Sequence, residues 1–290
     1  MLHSLYMKIA TIDYQSAEAP KQLVKSLKET GFAVLYNHPI PLNLFDQMKV
    51  DWQKFFASEE LKKQFMFDKM MCPQDGYVPT ESAKGEVLND LKEFFQVYKN
   101  GRMPDCTSAT WQLFDSLYDV GVSVLTWIQE YTPDEVKRHF SYPLQDMVDP
   151  IEQTMLRIIH YPPQTGSEQT GALRAAAHED INILTVLPAS DEPGLETMDL
   201  NGNWHTVPSD PGMLIINSGD PLEVCSRGYY KATTHRVRNP SSERMKVSRY
   251  SFPMFVHPKN NIILDAETGL THRRFLMKRL EELGLRPAMQ

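Results

Sequence analysis

The chain has 290 residues, of which 30 are Lys or Arg and 37 are Asp or Glu, so its formal net charge is −7. This acidic balance gives no basic field, which disfavours nucleic acid as a partner, and no run approaches the ~20 apolar residues of a membrane span. The same balance favours a small molecule as the partner. Cys72, Cys106 and Cys225 are odd in number and lack paired metal-ligand spacing, which argues against a disulfide scaffold and favours a cytoplasmic protein.

The first 150 residues predict a helical region with short strands. Apolar residues recur every three or four positions in the longest helical pattern, which is typical of a helix that covers a core. Ser16 is a candidate N-cap for a helix that ends at Gly31, and Pro133 suits the first position of a later helix. The predicted elements are a strand at 8–13, a helix from Ser16 to Gly31, a strand at 32–37, helices at 43–56, 58–70 and 108–131, and a turn-rich connection at 71–92.

From Met155 to Val256 the pattern changes to short strands separated by Gly, Pro, Asn and Asp turns. Such spacing is typical of a sandwich or jelly roll. A basic amphipathic helix at 271–283 follows. The sequence therefore predicts an α+β fold in which residues 1–150 form a helical region, 151–258 form the jelly-roll core, and 259–290 carry a helix that packs on it.

His178 and Asp180 stand at the start of a run rich in β-branched and aliphatic residues, 181–188. Such a run predicts a strand. Residues two apart on a strand point to the same face, so the imidazole and the carboxylate would converge while Glu179 points away.

A second stretch, 217–238, predicts a short strand, a turn at 226–228 and a returning strand that ends on His235. A hairpin of this kind can return a distant histidine to the place where the first pair lies. Two imidazoles and one carboxylate on one side of a metal leave other positions open, which is typical of non-haem Fe(II) oxygenases rather than of closed zinc sites.

Arg249 and Ser251 stand two residues apart in a further predicted strand. A guanidinium fork beside a hydroxyl suits a carboxylate, because it can donate paired charge-assisted hydrogen bonds. Arg244 is a rival for this role, but no hydroxyl stands two residues after it. Arg249 is therefore the preferred carboxylate-binding residue.

The chain resembles the iron(II)/2-oxoglutarate-dependent dioxygenases, in the subgroup of isopenicillin N synthase and the plant oxygenases. The likeness covers nearly the whole chain and rests on several motifs in the right order. These are Gly31-Phe-Ala-Val-Leu-Tyr-Asn-His38, Gly76-Tyr-Val-Pro79, Asp90-Leu-Lys-Glu-Phe94, Arg157-Ile-Ile-His-Tyr-Pro-Pro163, His178-Glu-Asp180, Trp204 to Asn217, Gly219-Asp-Pro-Leu-Glu-Val224, Tyr230 to Val237, and Arg249 to Phe255.

The resemblance implies a double-stranded β-helix core and a set of cofactors. His178, Asp180 and His235 would hold Fe(II), and Arg249, Ser251 and Tyr161 would hold the far carboxylate of 2-oxoglutarate. The family uses O2, and ascorbate is a candidate reductant. The implied activity is oxidation, most often hydroxylation, of an unidentified small molecule with release of succinate and CO2. Candidate substrate residues are Tyr77, Arg174, Asn182 and Asn217.

Two other functions stay open at this point. An isopenicillin N synthase-type oxidase uses the same fold without 2-oxoglutarate, and a jelly roll can bind a metal or ligand without catalysis. The chain also departs from the plant pattern, because Ile159 replaces the asparagine two residues before the tyrosine and Glu179 replaces the common threonine. These departures suggest a bacterial-type relative.

Overall fold

Two β-sheets form the centre of the molecule. The computed structural model describes residues 7–68, 74–81 and 88–282, so Cys72 and parts of the predicted connection at 71–92 lie outside the described residues. The strands are β1 (Thr11–Asp13), β2 (Phe32–Tyr36), β3 (Gly76–Val78), β4 (Glu93–Val97), β5 (Met155–Tyr161), β6 (Ala175–His178), β7 (Leu184–Pro188), β8 (Leu195–Met198), β9 (Trp204–Thr206), β10 (Leu214–Ser218), β11 (His235–Val237), β12 (Arg249–Ser251), β13 (Met254–Val256), β14 (Ile263–Asp265) and β15 (Leu270–Thr271).

Most of the helix lies in the N-terminal half. The α-helices are α1 (Ala19–Thr30), α2 (Leu42–Phe56), α3 (Glu59–Gln64), α4 (Thr110–Tyr131), α5 (Asp134–Lys137), α6 (Asp220–Cys225) and α7 (His272–Glu282). Short 3-10 helices cover Leu144–Asp146 and Ser242–Arg244. Within the ranges given above, no helix has the length and apolar character needed to cross a bilayer.

The larger sheet joins the two halves of the chain. Its strand order is β1-β2-β10-β7-β13-β5-β4-β3, and β12 also pairs with β5. The strand β10 runs antiparallel to β2 on one side and to β7 on the other. Four strands from the first 150 residues therefore lie in the same sheet as the jelly-roll strands, while the domain boundary expected near residue 150 stays a prediction.

The smaller sheet, with strand order β6-β11-β8-β9, packs on the larger one. Val34 and Ile215 of the larger sheet share one buried cluster with Ala175, Leu195 and Val237 of the smaller sheet. Burial of such aliphatic side chains between two sheets stabilises the sandwich by about 25 cal/mol for each Å² removed from water. This packing fixes β6 and β11 against the central strands of the larger sheet.

The long helix α4 packs against the larger sheet beside β7 and β13. Its buried side chains recur every three or four residues, as the sequence predicts, and they include Leu113, Phe114, Leu117, Val124, Leu125 and Ile128. The expected scaffold role of this helix is confirmed.

The predicted hairpin between residue 217 and His235 is wrong. Residues 220–225 form α6, and His235 begins β11 rather than ending a strand. Pro221 lies in the first turn of α6, where its fixed φ and missing N–H suit a helix start and do not suit the middle of a strand. The predicted strand through Asp180 is also wrong, because β6 ends at His178 and the next strand begins at Leu184.

Smaller differences concern helix ends. Glu18, not Ser16, occupies the N-cap position of α1, and the Ser16 hydroxyl accepts a hydrogen bond from the Glu18 N–H (3.2 Å). Pro133 lies at the N-cap of α5, one position before the first helical residue. The predicted tail helix is confirmed up to Glu282, and residue 283 lies beyond the described part of the chain.

Gly31 connects the N-terminal region to the segment that precedes His235. Its φ is +72°, the left-handed conformation that ends α1, and its carbonyl accepts a hydrogen bond from the Ser218 N–H (3.1 Å). A Cβ at this position would lie 2.2 Å from Thr233 Oγ1 and 2.9 Å from the Lys231 carbonyl oxygen. Glycine therefore lets the end of α1 approach this backbone closely.

Gly31→Ala should destabilise the protein by more than the strain of a left-handed alanine alone. That strain costs about 1–2 kcal/mol, and overpacking against Thr233 adds about 1–3 kcal/mol. Gly202→Ala is the matched control, because Gly202 also has a positive φ, +83°, and a Cβ there would meet nothing within 4 Å. Denaturant unfolding should give the larger loss of unfolding free energy for Gly31→Ala, and equal losses would contradict the close contact.

Candidate metal centre and carboxylate site

His178, Asp180 and His235 lie together although they come from two separate parts of the chain. His178 ends β6, His235 begins β11, and the two residues are opposite each other in the antiparallel pair. Asp180 lies in the turn after β6. One potential ligand atom from each residue lies within 4.8 Å of the other two. Pairing of β6 with β11, not alternation along one strand, therefore assembles this candidate facial triad.

The polar atoms of the triad face a common position. Oδ1 of Asp180 is 3.9 Å from Nε2 of His178 and 3.8 Å from Nε2 of His235. The His178 side chain is 36% exposed, whereas the Asp180 and His235 side chains are 6% and 9% exposed. Two imidazoles and one carboxylate on one side of a point suit Fe(II) and leave coordination positions open. The open side is the side of His178.

Backbone carbonyl groups orient both imidazoles. Nδ1 of His178 lies 2.8 Å from the Ala176 carbonyl oxygen, and Nδ1 of His235 lies 3.1 Å from the Thr233 carbonyl oxygen. A carbonyl oxygen only accepts, so each Nδ1 carries the proton and each Nε2 keeps its lone pair. Burial, followed by the neighbouring His235, lowers the pKa of His178 to about 4. His178 is therefore neutral at physiological pH, as a metal ligand must be.

The second carboxylate oxygen of Asp180 is held away from the triad. Oδ2 accepts hydrogen bonds from Thr185 Oγ1 (2.6 Å) and Asn217 Nδ2 (2.8 Å), and Asn182 Nδ2 donates to Thr185 Oγ1 (2.9 Å). Burial alone would raise the pKa of Asp180, but the two imidazoles and these donors outweigh burial and hold it below its usual value. The ionised carboxylate thus presents Oδ1 to the triad.

Gly219 supports the backbone at Asp180. The Asp220 N–H donates to the Asp180 carbonyl oxygen (2.8 Å), and the Gly219 N–H donates to the Ile183 carbonyl oxygen (3.3 Å). A Cβ on Gly219 would lie 2.0 Å from the Asn182 carbonyl oxygen and 2.7 Å from that of Asp180. Any larger residue would therefore displace the turn that carries the carboxylate.

Arg249 and Tyr161 form a second group of site residues. They are opposite each other in the pair of β12 with β5, and Ser251 is opposite Ile159. The Arg249 guanidinium carbon lies 4.9 Å from the centre of the Tyr161 ring, and its Nε donates to the Glu192 carbonyl oxygen (3.1 Å). Its Nη1 is buried and has no hydrogen-bond partner among the described residues. This free donor fits the carboxylate of a bound 2-oxo acid.

The rival Arg244 is committed elsewhere. Its side chain is 53% exposed and pairs with the buried carboxylate of Glu192. Arg174, expected to contact substrate, is fully buried beside Tyr161, with its guanidinium carbon 5.8 Å from the ring centre. Arg249 and Arg174 are therefore the two arginines that lie beside the Tyr161 ring.

Three of the expected substrate residues make other contacts. Asn182 and Asn217 act on the Asp180 carboxylate, directly or through Thr185, as described above. The Tyr77 hydroxyl donates to Glu93 Oε2 (2.5 Å), and its ring packs against Phe55 and Phe56. These contacts indicate that the two asparagines orient the Asp180 carboxylate and that Tyr77 occupies an aromatic core position.

Sequence reasoning missed several residues near the triad. Thr185 is a single hydroxyl in an otherwise aliphatic strand, and that contrast is the signal that could have identified it. Glu81 and Lys92 are near enough to His178 to couple to it electrostatically. Arg157 pairs with Glu81 at a long distance (3.5 Å). Arg157, Ile159 and Tyr161 alternate along β5, so their side chains share one face of the strand.

Two stretches of the chain match known families. Residues 152–258 match the 2OG-Fe(II) oxygenase superfamily, and residues 8–113 match the family described as "non-haem dioxygenase in morphine synthesis N-terminal". Feruloyl CoA ortho-hydroxylase 2 from Arabidopsis thaliana is 25% identical over 269 residues, which cover 88% of this chain and 70% of that protein.

Solved structures agree with these matches. A protein from Shewanella oneidensis that is assigned as an oxygenase has 45% sequence identity and a TM-score of 0.85, with 96% of this chain and 99% of that chain covered. A Caulobacter crescentus protein assigned to the 2OG-Fe(II) oxygenase family has 29% identity and a TM-score of 0.78, with coverage of 95% and 99%.

The jelly-roll core, the facial triad and these matches define the class: the chain belongs to the 2OG-Fe(II) oxygenase superfamily. The N-terminal match places it more narrowly, in the isopenicillin N synthase-like group that includes the plant 2-oxoglutarate-dependent dioxygenases. The resemblance and the fold class inferred from the sequence are both confirmed, and the chain is an enzyme of this family.

Thr185→Val should weaken metal binding while the fold is retained. The substitution removes the Oγ1 donor to Asp180 with little change of volume, and loss of a partner that orients a metal ligand typically costs about 10–100-fold in metal affinity. Thr197→Val is the matched control, because Thr197 is also buried but its hydroxyl donates to the Thr234 carbonyl oxygen. Anaerobic calorimetric titration with Fe(II) measures the affinity, and equal affinities for both variants would contradict the orienting role.

Proposed function

We propose that this protein is an Fe(II)- and 2-oxoglutarate-dependent dioxygenase that hydroxylates a small molecule, with release of succinate and CO2. The supporting observation is that one fold carries two features: a triad open on the His178 side, and a buried guanidinium at Arg249 with a free donor. Metal chelation at one end of a dicarboxylate and charge pairing at the other require this combination.

His178, Asp180 and His235 are the proposed metal ligands. When bound, Fe(II) supplies the redox chemistry by which O2 and the 2-oxo acid oxidise the substrate. The chain contributes neutral imidazoles in a fixed tautomer and an ionised carboxylate with one free oxygen. Because the polar atoms are already oriented, little reorganisation accompanies metal binding.

Arg249, Ser251 and Tyr161 are the proposed groups for the far carboxylate of 2-oxoglutarate. All three are buried, at 4%, 4% and 2% exposure, so a hydrogen bond made there is shielded from water. Arg249 and Ser251 are two residues apart on β12 and therefore share a strand face. Use of ascorbate as a reductant stays a prediction.

The primary substrate is proposed to be a small molecule with polar groups, which enters on the open side of the triad. Near that side, Lys92 pairs with Asp90 (2.8 Å) and Glu81 (3.2 Å). The Arg157 guanidinium carbon lies 4.3 Å from the centre of the Phe94 ring. The Arg157 side chain is 18% exposed, and a partly exposed guanidinium that stacks on an aromatic ring can bind a polar substrate.

Measurement of succinate separates this proposal from its rivals. The purified protein with Fe(II), O2 and 2-oxoglutarate should form succinate slowly even without a primary substrate. Absence of succinate together with O2 consumption on a substrate would favour an isopenicillin N synthase-type oxidase. Binding of Fe(II) without any O2 consumption would favour a metal-binding protein without catalysis.

His178→Ala and Asp180→Ala should each abolish O2 consumption, because each removes one of the proposed ligands. His205→Ala is the matched control, since His205 lies on β9 and pairs with Asp199 (2.8 Å) outside the triad. An oxygen electrode measures the rate in the presence of Fe(II) and 2-oxoglutarate. Turnover by either triad variant at the rate of the control would refute the ligand assignment.

Arg249→Lys should raise the apparent KM for 2-oxoglutarate about 10-fold or more while Fe(II) affinity changes little, because lysine keeps the charge but loses the planar fork. Arg244→Lys is the matched control, since Arg244 is the exposed rival that pairs with Glu192. Initial rates of succinate formation at varied 2-oxoglutarate give the KM. An unchanged KM for Arg249→Lys would remove Arg249 from the site.

A further inference from the structure

Arg174 is a buried cation that the proposed function leaves unexplained. It has 0% exposure and is among the largest fully buried side chains of the described part of the chain. Its Nη2 donates to the Val247 carbonyl oxygen (3.2 Å), but its Nε and Nη1 have no hydrogen-bond partner among the described residues. An uncompensated buried charge costs several kcal/mol. The protein therefore carries a stability cost at this position that some ligand should offset.

Arg249 lies beside Arg174, and its buried Nη1 also has no hydrogen-bond partner among the described residues. The two guanidinium carbons lie 5.8 Å and 4.9 Å from the centre of the one Tyr161 ring. Burial and the neighbouring Arg249 cation lower the pKa of Arg174. Two like charges in one buried space repel each other, and together they leave three N–H-bearing nitrogens without partners among the described residues.

The nearby carboxylate of Glu192 forms no ion pair with Arg174 or Arg249. The Glu192 side chain pairs with Arg244, and only its backbone carbonyl oxygen accepts from Arg249. The ion pairs of the described residues include none for Arg174 or Arg249. A group of two cations with three free nitrogens is complementary to one anion with two oxygens, such as a carboxylate.

We propose that Arg174 and Arg249 together bind the far carboxylate of the 2-oxo acid, as a two-guanidinium cradle. This inference rests on the proposed function and adds to it a second cation that sets co-substrate selectivity. The cradle predicts strong discrimination in favour of 2-oxo acids that carry a second carboxylate. The role of Arg174 is therefore changed from the expected binding of the primary substrate to binding of the co-substrate.

The position of Arg174 in the chain agrees with this role. Arg174 precedes His178 by four residues, so the two Cα atoms are at most about 14 Å apart. An extended five-carbon dicarboxylate chelated to a metal at one end reaches a hydrogen-bonding nitrogen about 10 Å from that metal. The C-terminal residue of β6 would then contribute a metal ligand, and Arg174, which immediately precedes β6, would bind the carboxylate.

The test compares two co-substrates in variants of the Mn(II)-loaded protein under anaerobic conditions. Calorimetry would give the affinities for 2-oxoglutarate and for pyruvate, a 2-oxo acid without the second carboxylate. Arg174→Met should weaken 2-oxoglutarate binding about 10–100-fold and leave pyruvate binding within about twofold. Arg238→Met is the matched control, because Arg238 pairs with Glu196 and is 49% exposed; it should leave both affinities unchanged.

Thermal unfolding supplies a second readout that a purely structural role would move in the opposite direction. Removal of an unpaired buried cation should keep or raise the Tm of the ligand-free protein, while the increase of Tm caused by 2-oxoglutarate becomes smaller. A lower ligand-free Tm together with wild-type selectivity between the two oxo acids would overturn the cradle. Equal weakening of both oxo acids would overturn it as well.

The same measurements distinguish the cradle from the proposed function. If wild-type protein binds 2-oxoglutarate and Arg249→Met loses this binding while Arg174→Met does not, the function stands and the cradle fails. If wild-type protein binds neither oxo acid, the proposed function fails, and the cradle fails with it.

Discussion

The geometry of the site depends on the Asp180 carboxylate, whose two oxygens make different contacts. Thr185 and Asn217 hold Oδ2 of Asp180, so Oδ1 alone faces the imidazoles. Thr185 lies on β7 and Asn217 on β10, which are neighbours in the larger sheet. The direction of the Asp180 carboxylate is therefore set by two strands that are buried in the sandwich.

Charge is distributed unevenly through the interior. Lys92 has two carboxylate partners, and Arg157 shares one of them. Arg174 and Arg249 have none among the described residues. An unpaired buried charge is costly, so buried charges without a partner mark a place where a ligand can supply the counter-charge. In this structure both unpaired arginines lie beside the Tyr161 ring.

The sequence predicted which three residues come together at the triad, but it did not predict the local structure around them. The His178-x-Asp180 spacing and His235 were sufficient to propose the triad, but the hairpin expected before His235 is a helix, because Pro221 favours a helix start. The approach of His235 to His178 depends on pairing between distant strands, which no short-range pattern encodes. The choice of Arg249 over Arg244 rested on the hydroxyl of Ser251. The pairing of Arg244 with Glu192, about 50 residues away in the chain, could not be predicted because only the fold brings the two side chains together.

The insertion of β2 beside β10 has a consequence for how the chain is made. Phe32–Tyr36 must wait for Leu214–Ser218 before its hydrogen bonds on that side can form. During synthesis from the N-terminus, β2 is therefore made long before β10, and its early neighbours are the short parallel strand β1 and the helix α1. Packing of α1 on β2 can cover this apolar strand until Leu214–Ser218 is made, so the helix shields the sheet edge in the incomplete chain.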